Sequence, residues 1–163
     1  MGFKFSAEEV FRIGEQIEVN GEKFYRAASA SVADVKLKGA LADLARQESA
    51  HQARFKQLRE QLGKEGAGRT VFDPDEQTRA YLEATASTHI FTGGLDPEQH
   101  FKTSRSAREI LGLALQFEKD SIIFYLGMQD FVSEALRRDT VDWLVNEEMK
   151  HVQQITAMMK EYS

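Results

Sequence analysis

Two copies of a Glu-x-x-His motif carry the residue types in this sequence that most readily bind metal ions. The motif occurs at Glu48–His51 and again at Glu148–His151. Residues three apart on an α-helix lie on the same face, so each pair can offer a carboxylate oxygen and an imidazole nitrogen to one ion. A single copy is usually a solvent-exposed pair, but two copies separated by 100 positions indicate a shared function.

The repeat extends beyond the motif, because the chain aligns with itself without gaps at an offset of 100 residues. Other paired positions include Glu18 with Glu118, Phe24 and Tyr25 with Phe124 and Tyr125, and Leu44 with Leu144. Each leading glutamate stands 30 positions before a Glu-x-x-His motif. The sequence therefore predicts one helical hairpin repeated twice, with half of a site on each copy.

Packing the two hairpins about an approximate two-fold axis would bring six metal-binding side chains together inside a bundle. They are Glu18, Glu48, His51, Glu118, Glu148 and His151. Four buried carboxylates would repel one another unless two divalent cations neutralised them. Oxygen and imidazole ligands suit iron and are compatible with manganese or zinc, whereas calcium and magnesium use histidine poorly. We therefore predict two iron ions as the cofactor.

Three further residues lie close to the predicted ligands along the first and third helices. Tyr25 and Tyr125 follow the leading glutamates by seven residues, which is two helical turns along the same face. They could donate hydrogen bonds to the ligands or quench radicals near the metals, and they could equally be core aromatics with satisfied hydroxyl groups. Glu22 is a candidate extra carboxylate, although its repeat counterpart is Ile122.

Four segments with helical hydrophobic periodicity must position these side chains. The predicted helices span residues 7–30, 34–62, 106–128 and 133–162, and a shorter helix spans 74–90. Ser6 with Glu9 and Ser106 with Glu109 form capping boxes that start the first and third helices. Gly63 is the predicted C-cap of the second helix.

These elements predict an all-α fold, a ferritin-like four-helix bundle made of two repeated helical hairpins joined by a long crossover. The predicted hairpins cover residues 7–62 and 106–162, and the crossover covers 63–105. Residues 1–163 are expected to form a single domain, since this length fits one core.

Composition excludes several classes of function. The absence of cysteine rules out disulfides, thiolate metal sites and thiol catalysis. A net charge of -5 argues against nucleic-acid binding, which needs a concentrated basic face. The sequence has no apolar run of membrane-spanning length and no secretion signal, so we expect no membrane association and a cytoplasmic location.

The motif set resembles the rubrerythrin-like, ferritin-like di-iron proteins along all four predicted helices. The resemblance implies a carboxylate-bridged iron pair that reduces hydrogen peroxide, or oxidises ferrous iron with oxygen or peroxide. By that resemblance Glu48 and Glu148 would bridge the metals, Glu18 and Glu118 would be terminal ligands, and His51 and His151 would each bind one iron. We also expect a homo-oligomer, specifically a dimer.

The chain departs from typical rubrerythrins in two ways. They carry a cysteine-ligated rubredoxin domain, whereas this chain has no cysteine, so its reductant would be an external electron-donor protein. They also carry a glutamate three residues after the third-helix ligand for redox-linked ligand exchange, and here that residue is Ser121.

Two alternative functions fit the same ligand pattern. The first is a ferroxidase or iron-storage protein similar to bacterioferritin, which shares the six-ligand pattern. Three departures from bacterioferritin place this alternative second. Only 12 residues follow His151, and Ser49 stands where a haem-binding bacterioferritin has methionine. The crossover is also longer than in a compact cage subunit. The other is a non-enzymatic metal-binding protein in which the ions stabilise the bundle.

Overall fold

The computed structural model is dominated by four long α-helices. It describes residues 7–65, 77, 80–81, 84, 101, 105–129, 132, 134 and 137–162. The helices are α1 (Ala7–Ser31), α2 (Val35–Glu65), α3 (Ala107–Met128) and α4 (Asp142–Glu161), and a π-helical turn (Arg137–Val141) leads directly into α4.

Local capping interactions explain where two of the helices begin. Asp34 precedes α2, and its Oδ1 accepts a hydrogen bond from the Leu37 backbone amide at 2.8 Å. Ser106 and Glu109 form the predicted capping box of α3, in which each side chain accepts a hydrogen bond from the other residue's backbone amide. Each cap satisfies amide groups that have no partner within their helix.

The helices pair as two antiparallel hairpins. α1 packs mainly against α2 and α3 against α4, while α1 also contacts α3 and α2 contacts α4. The connection between α1 and α2 is only three residues long, which leaves an antiparallel return as the available route. The predicted all-α fold, a ferritin-like four-helix bundle of two hairpins, is confirmed.

The internal repeat is visible in the burial of the helices. Residues 41–60 and 141–160 show the same alternation of buried, half-buried and exposed positions at every residue. The two hairpins therefore present equivalent faces to the core, as the 100-residue offset predicts. Paired glutamates and histidines consequently enter the bundle at matching heights.

Aromatic rings fill the core around these polar positions. The rings of Phe24 and Phe117 stack with centroids 6.4 Å apart, and Phe55 packs against Tyr125 at 5.5 Å. All four side chains are fully buried. Burial of each such side chain contributes about 1.5–3 kcal/mol to folding, so this core can offset the cost of enclosing charged groups.

Polar contacts also join the beginning of α2 to the end of α4. The Tyr162 hydroxyl donates to Asp34 Oδ1 at 2.8 Å, and Lys36 forms an ion pair with Glu161 at 2.5 Å. Because these pairs link the two hairpins far from the bundle centre, they help to fix the relative height of α2 and α4.

Two predicted helix boundaries need correction. α2 continues through Gly63 to Glu65, so Gly63 is not the C-cap. The regular part of the last helix begins at Asp142 rather than residue 133, because a π-helical turn occupies Arg137–Val141.

Other sequence predictions fall wholly or partly outside the described residues. The Ser6 capping box and most of the 63–105 crossover lie there. Within the predicted 74–90 helix, residues 77, 80, 81 and 84 are helical, and the Tyr81 hydroxyl donates to the Ile123 carbonyl at 3.1 Å.

Candidate metal centre

Each of the four helices places at least one acidic side chain at the centre of the bundle. α1 provides Glu18, α2 provides Glu48 and His51, α3 provides Glu118, and α4 provides Glu148 and His151. All six side chains are buried, with at most 2% of any residue exposed. The structure thus brings together all six residues that the sequence predicts as metal ligands.

The six residues form two overlapping groups, each of which could hold one ion. One consists of Glu18, Glu48, His51 and Glu148, and the other consists of Glu48, Glu118, Glu148 and His151. Within each group, one potential ligand atom from every residue lies within 4.8 Å of the others. Glu48 and Glu148 belong to both groups, which is the placement required of residues that bridge two ions.

Both imidazole rings direct Nδ1 toward the carboxylates. His51 Nδ1 lies 3.0 Å from Glu148 Oε1 and 3.3 Å from Glu18 Oε2. His151 Nδ1 lies 2.9 Å from Glu148 Oε2 and 3.1 Å from Glu48 Oε1. Because the nitrogens face the cluster, neutral rings would present a lone pair to an ion held there.

A contact on the outer side of His151 favours that orientation. His151 Nε2 lies 3.2 Å from Gln47 Oε1. An amide oxygen can only accept a hydrogen bond, so Nε2 must carry the hydrogen that it donates to Gln47. In the neutral ring Nδ1 is then unprotonated and can bind a metal. Sequence reasoning missed Gln47, because its repeat counterpart is Glu147 and no motif marks it.

The chemistry of the donor atoms fits a pair of cations. Among the described residues, buried atoms that make no well-aligned hydrogen bond include both carboxylate oxygens of Glu48 and Glu148, Glu118 Oε2 and His151 Nδ1. Histidine Nδ1 atoms nevertheless lie 2.9–3.1 Å from three of these oxygens. Buried polar atoms are normally hydrogen-bonded, and an unpartnered buried charge is costly. Two divalent ions would contact these atoms and neutralise the four carboxylates.

Burial and neighbouring charges shift the pKa values of the acidic residues in opposite directions. Burial and repulsion from Glu148 raise the pKa of Glu48 and of Glu118 well above the usual range. Burial also acts to raise the pKa of Glu148, but contacts with His151 and His51 lower it below the usual range.

The histidines respond to the carboxylates in a complementary way. Burial acts to lower the pKa of His51, but contacts with Glu148 and Glu18 raise it to about 10. Burial also acts to lower the pKa of His151, but contacts with Glu118, Glu148 and Glu48 raise it. The side chains alone therefore hold protons that a metal ion would displace.

The two tyrosines connect the hairpins in a crossed arrangement. The hydroxyl of Tyr25 on α1 donates to Glu118 of α3, and the hydroxyl of Tyr125 on α3 donates to Glu18 of α1. Both rings are fully buried, and burial together with the neighbouring glutamates raises the pKa of each phenol. Each tyrosine is thus a protonated donor to the leading glutamate of the opposite repeat.

Glu22 belongs to a separate polar group at the half-buried edge of the bundle. Its carboxylate pairs with Arg26 at 2.6 Å and accepts from Gln52 at 2.7 Å. These contacts outweigh burial and lower its pKa. Glu22 is not in either four-residue group, so the structure gives no support to an extra carboxylate ligand at this position.

The family model described as rubrerythrin matches residues 12–159. The chain belongs to the rubrerythrin family. The predicted resemblance is therefore confirmed, and the match includes residues of all four helices of this chain. No curated protein matches the chain.

Two solved structures are similar to this rubrerythrin-family chain in fold. A ferritin-like diiron-carboxylate protein from Thermotoga maritima has a TM-score of 0.77 and 20% sequence identity, with 100% of both chains covered. A hypothetical protein from Pyrococcus furiosus has a TM-score of 0.64 and 18% identity, covering 96% of this chain and 89% of that chain. At these identities the likeness establishes the fold.

Within the described residues, no helix combines the length and apolar character needed to cross a membrane.

Proposed function

We propose that this rubrerythrin-family protein is a di-iron oxidoreductase that reacts with hydrogen peroxide or oxygen. Its single domain, residues 1–163, would hold two iron ions with the six buried side chains described above. The observation that carries the proposal is the pair of overlapping groups, in which both oxygens of the shared residues Glu48 and Glu148 and one oxygen of Glu118 are buried without hydrogen bonds. A di-metal site satisfies those atoms and balances their charge.

We propose iron among the metals that this ligand set could bind. Carboxylate oxygen and imidazole nitrogen together suit iron, manganese and zinc. Zinc is not redox-active, so oxidoreductase chemistry would require iron or manganese, of which iron is our proposal. We propose Glu48 and Glu148 as bridging ligands because they occur in both groups. Glu18 and Glu118 would then be terminal ligands, with one histidine for each ion.

The surrounding residues hold the ligands and exclude water. Tyr25 and Tyr125 donate to Glu118 and Glu18, which restrains the terminal carboxylates without adding charge. Gln47 orients His151 from outside the cluster. Fully buried rings such as Phe117 close the site to solvent. Such support keeps the ligands in place when the charge at the centre changes.

Hydrogen peroxide is the favoured oxidant. Two ferrous ions supply two electrons, which is the number that peroxide accepts, whereas full reduction of oxygen requires four. Because the chain has no cysteine for an iron–sulfur or rubredoxin-type centre, repeated turnover would require an external electron donor. We also propose that the protein is a cytoplasmic homodimer that receives electrons from this donor.

Anaerobic loading with two ferrous equivalents followed by stopped-flow mixing tests the proposal. We expect faster oxidation with hydrogen peroxide than with oxygen, and an endpoint with two ferric ions per chain. Continued oxidation to tens of ferric ions per chain, at a higher rate with oxygen, would instead indicate iron storage. Stable binding of two ions with no oxidation by either species would indicate a structural metal site.

A further inference from the structure

Trp143 is an exposed aromatic residue that contacts the candidate metal centre. It lies near the start of α4, and 38% of its surface is exposed to solvent. Its ring meets the His51 imidazole edge-on, with centroids 5.5 Å apart and an interplanar angle of 86°. Since His51 is only 2% exposed, Trp143 extends from the surface to a side chain of the buried cluster.

The other half of the repeat has no such ring. The counterpart of Trp143 is Asp43, a surface residue paired with Arg46. The outer nitrogen of His151 contacts the Gln47 amide instead of an aromatic side chain. The two buried tyrosines also contact the cluster, but neither reaches solvent. Within the described part of the chain, the two halves of the site therefore differ in their connection to the surface.

We propose that electrons from an external one-electron donor enter the site through Trp143 and its contact with His51. The inference rests on the proposed function and names the entry point for its reductant. The donor class is a protein carrying a flavin or an iron–sulfur cluster. Each event oxidises the donor by one electron and reduces one ferric ion to ferrous, and no covalent bond forms or breaks. Two events return the pair to the ferrous state.

Arg54 disfavours oxidation of the Trp143 ring. Its guanidinium lies 5.9 Å from the centre of the Trp143 ring and is held by a 2.6 Å hydrogen bond to the Asp139 carbonyl. A cation over an indole face is attracted to its electron density. The same cation would repel a positive charge on an oxidised ring. An electron passing from donor to site would therefore cross the Trp143 contact without leaving an oxidised tryptophan.

Fluorescence tests the contact without any turnover, because Trp143 is the only tryptophan in the chain. Cobalt(II) is added under anaerobic conditions, and bound metal is counted alongside the emission. We expect metal binding to quench the emission in wild-type protein and in His151→Ala, with most of the quenching lost in His51→Ala. His51→Gln checks the result should the alanine variant fail to fold, as judged by circular dichroism.

Two fluorescence outcomes would overturn parts of the account separately. Full cobalt binding with no quenching, or equal loss of quenching in both histidine variants, would overturn the role of Trp143 while leaving the metal site intact. Failure of the wild-type protein to bind cobalt or iron would overturn the proposed function and this inference with it.

Reduction kinetics test the electron path itself. Iron-loaded protein is oxidised with peroxide and then reduced anaerobically with photoreduced flavin mononucleotide, while ferric absorption is followed. We expect Trp143→Leu to be reduced several-fold more slowly than wild type, with Trp143→Phe recovering part of the rate. Met149→Leu, another exposed apolar side chain on α4, is the matched control and should react at the wild-type rate. Unchanged reduction of Trp143→Leu with two irons bound would contradict the proposal.

Discussion

The imidazole rings of His51 and His151 lie nearly parallel, with centroids 5.3 Å apart and an interplanar angle of 19°. They come from equivalent positions of the two repeats and direct Nδ1 into one shared cluster of carboxylates. Their contacts with these carboxylates raise both imidazole pKa values against the effect of burial. Two stacked cationic rings repel each other, and the carboxylates beside them offset that repulsion. A metal ion bound to the same side chains would displace these protons, so metal ions and protons compete for the site.

The stability of metal-free protein should therefore fall as the pH rises above neutral. The folded-state pKa of His51 is about 10 against an ordinary value of 6.5, so the folded protein binds more protons than the unfolded chain between these values. The raised pKa values of Glu48 and Glu118 act in the same direction. The lowered pKa of Glu148 has the opposite effect, but only at acidic pH.

Thermal melts of chelated and iron-loaded protein from pH 6.5 to 10 measure this effect. We expect the melting temperature of the chelated protein to decline across the range. The loaded protein should melt at a higher temperature and depend less on pH, because bound cations replace the protons. Superimposable melting curves for the two forms would show that the carboxylates do not share a metal site.

Removal of Glu148 should disturb both ions, whereas removal of Glu18 should disturb one. Glu148 belongs to both four-residue groups, and Glu18 belongs only to the group that contains His51. Loss of a residue that only supports a ligand lowers metal affinity by roughly 10–100-fold. We expect Glu148→Ala, which removes a ligand itself, to lower affinity at both positions by at least that factor. Metal analysis after gel filtration measures this, and two tightly bound ions in Glu148→Ala would refute the bridging assignment.

The crossed tyrosine hydrogen bonds should stabilise the contact between the hairpins. Tyr25→Phe and Tyr125→Phe each remove a donor to a buried glutamate of the opposite repeat. A hydrogen bond to a charged group contributes about 1.5–3 kcal/mol, so we expect each variant to lose free energy of unfolding in that range when the protein is metal-loaded and the glutamates are ionised. Tyr162→Phe is the control because its partner, Asp34, is exposed. Denaturant unfolding that ranks all three variants equally would be inconsistent with this role.

Gly21 should be intolerant of a side chain because other groups occupy the adjacent space. A Cβ atom there would lie 2.5 Å from Phe117 Cζ and 2.9 Å from Glu48 Oε2. We expect Gly21→Ala to cost about 1–3 kcal/mol of stability and to weaken metal binding by displacing Glu48. Gly39→Ala is the matched control, since nothing lies within 4 Å of its Cβ position. That variant should gain about 0.5–1 kcal/mol, because alanine favours helix. Equal stability of the two variants would contradict the packing argument.

The sequence predicts the arrangement of the cluster because the repeat places equivalent residues of the two hairpins at the same height along the bundle. Glu48 and Glu148 occupy matching positions on long helices, and helical periodicity then determines which face each side chain occupies. The leading glutamates follow from the same offset. The hairpin fold is equally predictable, because amphipathic segments joined by a short loop have few ways to bury their apolar faces.

Contacts that break the repeat could not be predicted in this way. Gln47 reaches His151 on another helix, and Trp143 reaches His51, yet neither residue has a counterpart of its own type. Such contacts depend on the rotation of one helix against another, which local patterns do not specify. The π-helical turn before α4 was missed for a related reason, since no glycine or proline marks residues 137–141.

Anomalous diffraction from crystals loaded anaerobically with ferrous iron tests the central claim most directly. Data collected above and below the iron edge locate each ion without reference to its reactivity. We predict two anomalous peaks per chain, one beside His51 and Glu18 and the other beside His151 and Glu118. Glu48 and Glu148 should contact both peaks. A fully loaded crystal with no peak among these residues, or with a single peak, would contradict the di-iron assignment.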